Sequence, residues 1–315
     1  MSLVVTRAGL QTTIQARRRV GQRHLGVPLC GPADPLSMAL ANRLLGNASN
    51  KPALEVTLSG CELTFEAATR VAITGAPCDL SLNGKPINMH KTYAVQSGDQ
   101  LAIGPAKKAV RSYVAVGGGL LGQKFLGSTS TYMPASFGGH EGRALRNQDR
   151  LEFAPVSDAG SDCQTPPEFR PQFSNAWAMR ACAQRNFVDL SEADQVALFN
   201  TNFSVSGRGD RMGIQLLGKT FELPIAGYLD SDPIFPGCVQ CPSDGVPYLL
   251  AVDAQTTGGY AQLAQVGRVD RHLIGQLRAG DHVRLLVRSP EEAADDLHEM
   301  HDYWRRWLPD IGSVI

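Results

Sequence analysis

The sequence predicts a mainly β fold in which antiparallel strands close into barrels. Glycine (32) and proline (19) together make 51 of the 315 residues, about 16%. An average globular protein has roughly 12%, so this composition favours short strands and turns. Asn83-Gly84, flanked by alternating residues, is typical of a two-residue hairpin. A turn with aspartate that leads into an alternating strand occurs three times, at 98–103, 148–153 and 280–285. Such repetition indicates a barrel built from hairpins.

Strand-like segments follow one another through the first half of the chain. Residues 53–65 alternate between apolar and polar side chains, and shorter segments continue the pattern at 70–73, 79–82 and 93–95. The apolar run 110–116 predicts a strand that is buried on both faces.

The predicted helices are few, and capping residues mark each of them. Asp34 can cap a helix that begins at Pro35, with Gly46 just beyond its end. Ser191 precedes a second helix, and Ser289 precedes a C-terminal helix rich in acidic residues in its first turn.

A polar segment rich in glycine and proline, 157–171, predicts a linker near the middle of the chain. A faint repeat lies on its two sides, because residues 31–34 and 207–210 both read Gly-x-x-Asp and both precede Leu-Leu-Gly. The repeat predicts two related β-rich halves. The predicted domains are therefore an N-terminal half, a C-terminal half and a C-terminal helical extension, at 1–157, 172–288 and 289–315.

The charge balance excludes several classes of partner. The chain carries 30 Lys+Arg and 30 Asp+Glu, whereas nucleic acids and anionic membranes select proteins with a basic excess. We therefore expect no nucleic-acid and no membrane partner. No window approaches the ~18 apolar residues of a membrane span, and residues 1–10 do not resemble a signal peptide. With seven cysteines, an odd number, we expect a reduced, cytoplasmic protein.

Three motifs resemble metal, redox or cofactor sites, but a structural role explains each of them better. Cys238 and Cys241 form a CxxC pair without a second ligand pair, so structural packing is favoured over a zinc or redox site. Residues 117–122 match GxGxxG, but the Gly/Ser/Thr run 127–131 is a poor helix former, which argues against a dinucleotide-binding fold. His298 and His301 are expected on a solvated helix face.

Two loops carry the candidate binding chemistry. Residues 253–260 follow the apolar run 248–252 and combine aspartate, glutamine, threonine and glycine, which can bind a carboxylate, an amide or a carbonyl group. Gln240 lies in a second turn-rich loop at 236–247. The hydroxyl-rich segment 127–132 can orient a small polar substrate or, equally well, satisfy its own backbone.

Together these motifs resemble the biotin-dependent carboxyltransferase / allophanate hydrolase subunit 2 family, and within it the prokaryotic ATP-dependent 5-oxoprolinases. The resemblance covers about residues 3–288, and Cys30 departs from it because the family commonly has serine there. The stretches that carry the resemblance are 26–34, 41–42, 45–47, 53–55, 127–132, 210–213, 236–240 and 253–260.

The resemblance implies two cyclophilin-like β-barrel halves and the conversion of 5-oxoproline to glutamate, with ATP used by the complex rather than clearly bound by this chain. The implied partners are the two companion 5-oxoprolinase chains, a small cyclophilin-like B subunit and a barrel A subunit. One alternative is the carboxyltransferase part of a urea carboxylase/allophanate hydrolase system, which uses biotin. Another is a regulatory protein that binds a kinase-inhibitor-like partner.

Both substrates are small amides, whose activation needs donors that stabilise negative charge on the carbonyl oxygen. No metal site is predicted. The resemblance therefore favours three catalytic candidates, Gln255, Thr256 and Thr257. The substrate-binding candidates are Gly258, Gly259, Tyr260, Ser128, Thr129, Ser130, Thr131, Tyr132, Gln240 and Asp253.

Overall fold

A computed structural model describes residues 1–155, 162–223 and 229–315, and the mainly β fold class is confirmed. The contacts divide the chain into two compact units. The first unit comprises Met1–Arg19, Cys30–Phe173 and Trp304–Val314, and the second unit comprises Val20–Leu29, Ser174–Tyr303 and Ile315. The domain ranges 1–157, 172–288 and 289–315 stay a prediction.

The first unit contains eleven strands among its described residues: β1 (Ser2–Arg7), β2 (Gln11–Gln15), β3 (Ala53–Thr57), β4 (Glu62–Phe65), β5 (Thr69–Gly75), β6 (Leu80–Leu82), β7 (Lys85–Ile87), β8 (Thr92–Val95), β9 (Gln100–Ile103), β10 (Arg111–Val116) and β11 (Arg150–Glu152). They form a six-stranded sheet in the order β11-β1-β4-β9-β6-β7 and a five-stranded sheet in the order β2-β3-β10-β5-β8. Apolar side chains from both sheets share one core.

The predicted strands of this unit are largely observed. Every residue of β10 is buried, as its apolar run predicts. Asn83 and Gly84 both adopt positive φ, 53° and 75°, and join β6 to β7 in a tight hairpin. The alternating segment 53–65 contains two strands: Leu58, at φ 58°, separates β3 from β4, and these strands belong to different sheets.

Helix α1 (Pro35–Leu44) lies in the interior of the first unit. As predicted, the Asp34 carboxylate caps it by accepting from Ser37 N at 3.0 Å, and Gly46 follows its end at φ 68°. All its residues except Arg43 are buried, and it packs on β5 and β10.

The second unit is a closed barrel of seven strands in the order β12-β19-β16-β17-β14-β13-β20, with a separate two-stranded ribbon, β15-β18. The barrel is closed by parallel pairing of its first and last strands. The strands are β12 (Ala176–Ala183), β13 (Phe203–Gly209), β14 (Gly213–Leu217), β15 (Asp232–Pro233), β16 (Cys238–Cys241), β17 (Tyr248–Leu250), β18 (Thr257–Gly258), β19 (Ala261–Val266) and β20 (His282–Val287).

The remaining described helices are short apart from one: α2 (Glu192–Asn200), α3 (Pro290–Arg305) and α4 (Ile311–Val314), with 3-10 turns at Arg23–Leu25, Met133–Ala135, Pro167–Phe169, Arg185–Asp189 and Arg268–Gln276. The predicted caps are observed. Ser191 Oγ accepts from Asp194 N at 3.1 Å. Ser289 and Glu292 form a reciprocal capping box at the start of α3.

The three aspartate turns share one geometry. Each aspartate carboxylate accepts from the backbone N–H three residues earlier, at 2.7 Å for Asp99, 2.7 Å for Asp149 and 2.9 Å for Asp281. The residue before each aspartate has a φ between 73° and 92°. Strands β9, β11 and β20 begin directly after these turns, so the predicted unit is confirmed.

The predicted repeat between 31–34 and 207–210 is wrong as a structural repeat. Asp34 caps α1, whereas the Asp210 carboxylate accepts from Met212 N at 2.7 Å and Gly213 N at 3.2 Å in the turn between β13 and β14. The residues that follow differ, because Pro35 starts a helix whereas Gly213 starts strand β14.

The predicted linker 157–171 lies partly outside the described residues, at 157–161. Its described remainder packs within the first unit. Thr165 is fully buried and Phe169 is 3% exposed, and Cys163 O and Thr165 N bond to the backbone of Thr92 and His90. None of the helices in the described ranges is long and apolar enough to cross a bilayer.

Candidate functional site

A cavity of about 760 Å³ opens on the second unit. We call it the glutamine pocket. One wall is the turn between β13 and β14, another is formed by β16 and β17, and the segment 255–260 supplies the third. The lining residues are Gly207, Arg208, Gly209, Asp210, Met212, Gly213, Gln240, Pro242, Asp244, Tyr248, Leu250, Gln255 and Tyr260.

A buried ion pair connects two walls of this pocket, the turn between β13 and β14 and the segment that begins at Asp253. Arg211 Nε and Nη2 donate to the Asp253 carboxylate at 2.7 and 3.0 Å, and the side chains are 5% and 3% exposed. Asp253 N also donates to Arg211 O at 2.7 Å. The bidentate geometry fixes the turn after β13 against the start of segment 253–260. The carboxylate of Asp253 therefore acts on Arg211 rather than directly in the pocket.

Segment 255–260 is pinned mainly through its backbone. Thr256 O accepts from Ile234 N at 3.1 Å and from Arg23 Nη2 at 3.1 Å. Thr257 and Gly258 pair with β15. A Cβ at Gly259 would lie 2.6 Å from Leu229 O, so only glycine fits there. These contacts leave the Gln255 and Tyr260 side chains to line the pocket.

Gln240 is the most unusual side chain of the pocket. It is 2% exposed, and its Nε2 has no hydrogen-bond partner in the described part of the chain. A Cβ at Gly258 would lie 3.0 Å from this Nε2 and 3.7 Å from Gln255 Nε2. Two carboxamide nitrogens thus converge beside a residue without a side chain. An unsatisfied buried donor costs about 1–3 kcal/mol, so it calls for an explanation.

The rest of the lining is polar and carries both charge signs. Two carboxylates, Asp210 and Asp244, and one guanidinium, Arg208, face the cavity. Asp244 Oδ1 accepts from Val246 N at 3.0 Å, so it is held in place like Asp210. The arrangement can donate hydrogen bonds to an oxygen through the glutamines and accept from N–H groups through the carboxylates.

The hydroxyl-rich segment 128–132 belongs to the first unit, and its hydroxyls bond to backbone. Ser130 Oγ accepts from Ala16 N and donates to Ala16 O, both at 2.9 Å. Thr131 Oγ1 donates to Ile14 O at 2.9 Å, and Ser128 Oγ donates to Arg17 O. These bonds join the segment to residues 14–17.

The predicted site residues thus separate into three groups. Gln240, Gln255 and Tyr260 line one pocket, with Gly258 beside the two amides. Asp253 and Thr256 are buried and hold the pocket wall. Segment 128–132 lies in the other unit, with Ser128, Thr129, Ser130 and Thr131 buried. The roles of all these residues stay predictions.

Several residues that form or support the pocket could hardly be recognised from the sequence. Arg211 stands in the motif at 210–213, but nothing in the sequence pairs it with Asp253, 42 residues away. Arg23 has no signal of its own, yet it contacts Thr256 O and stacks over Phe235, with its Cζ 4.4 Å from the ring centre. Tyr248 also lines the pocket, and in the sequence it is only the first residue of the apolar run 248–252.

A second buried polar cluster lies in the first unit and is centred on Glu55. Its Oε2 accepts from the Tyr113 hydroxyl and from Ala33 N, both at 2.8 Å, and Arg111 Nε lies 3.3 Å from Oε1. The Tyr113 hydroxyl accepts in turn from Asp34 N at 2.8 Å. Burial raises the pKa of Tyr113 well above its usual value. The cluster fixes the chain just before α1.

The remaining motifs are the CxxC pair and the GxGxxG match. Cys238 and Cys241 are free, lie in β16 and are buried, and burial raises the pKa of each thiol to about 12, so neither is a reactive thiolate. Residues 117–122 follow β10 and lead into irregular chain, not into a helix. No cluster of potential metal ligands occurs among the described residues.

Comparison with known proteins identifies a matching family and similar bacterial proteins. The family described as carboxyltransferase domain, subdomain A and B, matches residues 25–287. The C subunit of the Escherichia coli (strain K12) 5-oxoprolinase is 32% identical over 96% of this chain and 97% of its own length. The corresponding Haemophilus influenzae protein is 34% identical over 90% of each chain.

A solved structure is similar along nearly the whole chain. The K. lactis urea amidolyase covers 97% of this chain with a TM-score of 0.91 and 26% identity, and this chain spans 20% of that larger chain. The matched range exceeds half the sequence, and both bacterial relatives exceed 30% identity over almost their full length. The chain therefore belongs to the carboxyltransferase domain, subdomain A and B, family.

Proposed function

We propose that this chain is one component of an ATP-dependent 5-oxoprolinase that converts 5-oxoproline to glutamate in the cytoplasm. The observation that carries the proposal is the similarity to the C subunit of the E. coli 5-oxoprolinase, which extends over 96% of this chain and 97% of the relative. The proposed partners are the companion chains, a small cyclophilin-like B subunit and a barrel A subunit. ATP is proposed as a substrate of the complex.

The glutamine pocket supports this proposal chemically. Opening a lactam requires that its carbonyl be polarised, because negative charge grows on the carbonyl oxygen as a nucleophile adds to the carbonyl carbon, before the C–N bond breaks. Gln240 and Gln255 offer N–H donors to such an oxygen, and Thr257 lies on the adjoining strand β18. Thr256 and Asp253 hold the wall from behind. ATP hydrolysis supplies the driving force in the complex.

A second candidate is carboxyl transfer to urea, with biotin as carrier. The solved K. lactis urea amidolyase favours it, since the folds agree at a TM-score of 0.91. Urea and 5-oxoproline both present an N–H beside a carbonyl, so the same donors and acceptors suit either substrate. The higher identity and the end-to-end match to the bacterial 5-oxoprolinase proteins favour the first candidate.

The test is reconstitution. The chain is combined with its companion chains, and glutamate release from 5-oxoproline is measured with and without ATP. We expect ATP-dependent release that disappears when this chain is omitted. Equal release without this chain, or urea-dependent ATP consumption with no glutamate formed from 5-oxoproline, contradicts the proposal.

The matched control is Gly267→Ala. Gly267 lies outside the pocket lining, its φ is −59°, and an added Cβ would meet only ordinary contacts at 3.5 Å or more. We expect this variant to support the same rate as the unmodified chain in the reconstituted complex.

A further inference from the structure

The buried amide of Gln240 is the strongest unexplained feature of the second unit. Strand β16 fixes its backbone between β17 and β19. The side chain is 2% exposed and lines the pocket, yet within the described residues its Nε2 donates to no acceptor. Because buried donors are nearly always paired, the missing acceptor is expected on a ligand.

Gly258 packs beside this donor without a side chain. A methyl group at position 258 would approach Gln240 Nε2 and Ile234 Cδ1 to 3.0 Å each. Gln255 Nε2 lies 3.7 Å from the same point. The bare Cα of Gly258 therefore keeps a methyl group away from both carboxamide nitrogens.

The charged residues of the lining indicate which chemical group carries the oxygen that Gln240 would bind. Asp210 and Asp244 outnumber Arg208 among the charged lining residues, so an anionic group is disfavoured next to the carboxylates. A neutral amide suits the lining better, because its oxygen can accept from the glutamines while its N–H can donate to a carboxylate.

We propose that Gln240 Nε2 recognises the carbonyl oxygen of a small amide, the lactam group of the substrate, and that Gly258 is glycine to leave room for this contact. The substrate enters with its amide end first, and its carboxylate stays toward the exposed Arg208. The inference deepens the proposed function and rests on it for the identity of the substrate.

Binding to the full chain tests this without the companion chains. The probes are 2-pyrrolidinone, which has the lactam but no carboxylate, and 5-oxoproline; proline, which lacks the ring carbonyl, is the comparator. NMR titration follows the Gln240 side-chain NH2 resonances and the dissociation constants. We expect both probes to shift these resonances, and proline to leave them unchanged.

Two variants sharpen the test. Gln240→Glu replaces the donor by an acceptor of the same shape, and Gly258→Ala adds the obstructing methyl. Each is expected to weaken binding of both probes at least tenfold, which corresponds to about 1.4 kcal/mol, while Gly267→Ala changes it less than twofold. Amide-region spectra establish that the variants remain folded.

Three results overturn the inference: no binding of either probe to the unmodified chain, unchanged affinity in Gln240→Glu, or binding that leaves the Gln240 resonances in place. The outcome is separable from the proposed function. Lactam binding through Gln240 without ATP-dependent glutamate release by the complex refutes the function alone. Full glutamate release with Gln240→Glu refutes the inference alone.

Discussion

Ser130 in the first unit and Gln240 in the second are both buried polar residues in candidate binding segments, and the structure treats them differently. Ser130 Oγ accepts from Ala16 N and donates to Ala16 O, both at 2.9 Å, and also lies 3.4 Å from Arg17 O. Gln240 Nε2 makes none in the described chain. The hydroxyl therefore stabilises the fold, whereas the amide nitrogen finds no acceptor among the described residues, and the proposed ligand would supply one.

The same contrast separates the two buried clusters. Glu55 Oε2 accepts from Tyr113 and from Ala33 N, and Arg111 Nε lies 3.3 Å from Oε1, so this carboxylate is paired within the protein. In the second unit, the paired residues Arg211 and Asp253 form the wall of the pocket. The paired carboxylates Glu55 and Asp253 position the chain, whereas Gln240 Nε2, which lines a pocket, is where we propose that a ligand binds.

The largest effect is expected from breaking the wall of the pocket. Asp253→Ala removes the partner of Arg211 and leaves a guanidinium that is 5% exposed without its carboxylate. Loss of one member of a buried pair costs about 3–5 kcal/mol. Urea denaturation of the variant is expected to show this loss.

The matched control is an exposed pair. Asp79 and Lys107 lie 2.5 Å apart with side chains 81% and 59% exposed, and such pairs contribute about 0–1 kcal/mol. Asp79→Ala is expected to leave stability within that range. Equal losses in the two variants contradict the assignment of Arg211 and Asp253 to the framework.

A titratable group extends the comparison to pH. His90 is 8% exposed and its Nδ1 lies 3.2 Å from Thr165 Oγ1. Burial, with a smaller contribution from the positive charge of Arg170, lowers the pKa of His90 from 6.5 to about 4. The unfolded chain then binds more protons than the folded chain between these pH values. His90 therefore does not reduce the free energy of unfolding above pH 6.5, but it lowers it by up to about 3 kcal/mol as the pH drops to 4.

His90→Asn removes this titration and suits the backbone, because φ is 60° and asparagine tolerates that region. The free energy of unfolding is measured from pH 7 to pH 4 for both proteins. The variant is expected to lose about 3 kcal/mol less over this interval. Parallel curves for the two proteins contradict the buried, neutral state of His90.

A smaller loss is expected at Ser130. Ser130→Ala removes both bonds to Ala16 and leaves buried backbone groups without them, which costs about 1–3 kcal/mol. The exposed Ser97 serves as control, and Ser97→Ala is expected to change stability by less than about 0.5 kcal/mol. A stable Ser130→Ala protein that fails to bind lactams instead places Ser130 in the binding site.

Local chemistry explains which features could be predicted from the sequence. The caps at Asp34, Ser191 and Ser289 and the aspartate turns depend on groups within three residues of one another, so their residue types identify them. Segment 53–65 shows the limit of periodicity, since one positive φ at Leu58 divides an alternating run.

The contacts that define the site join distant parts of the chain. Arg211 and Asp253 are 42 residues apart, and Ser130 and Ala16 are 114 apart, so no spacing rule connects them. The sequence placed Gln240, Gln255 and Tyr260 in candidate loops because of their residue types. It could not reveal that Gln240 Nε2 has no acceptor among the described residues, because that property depends on every neighbour in the fold.

The most direct measurement is the stability of Gln240→Met, determined together with its affinity for 2-pyrrolidinone. Methionine is an unbranched side chain of similar length that removes the unpaired donor, and replacing an unsatisfied buried donor by an apolar group is neutral or stabilising. We predict a free energy of unfolding that is unchanged or higher by about 1 kcal/mol, together with at least a tenfold loss of lactam affinity. A destabilised variant that still binds the lactam normally would show that Gln240 serves the fold and not the ligand.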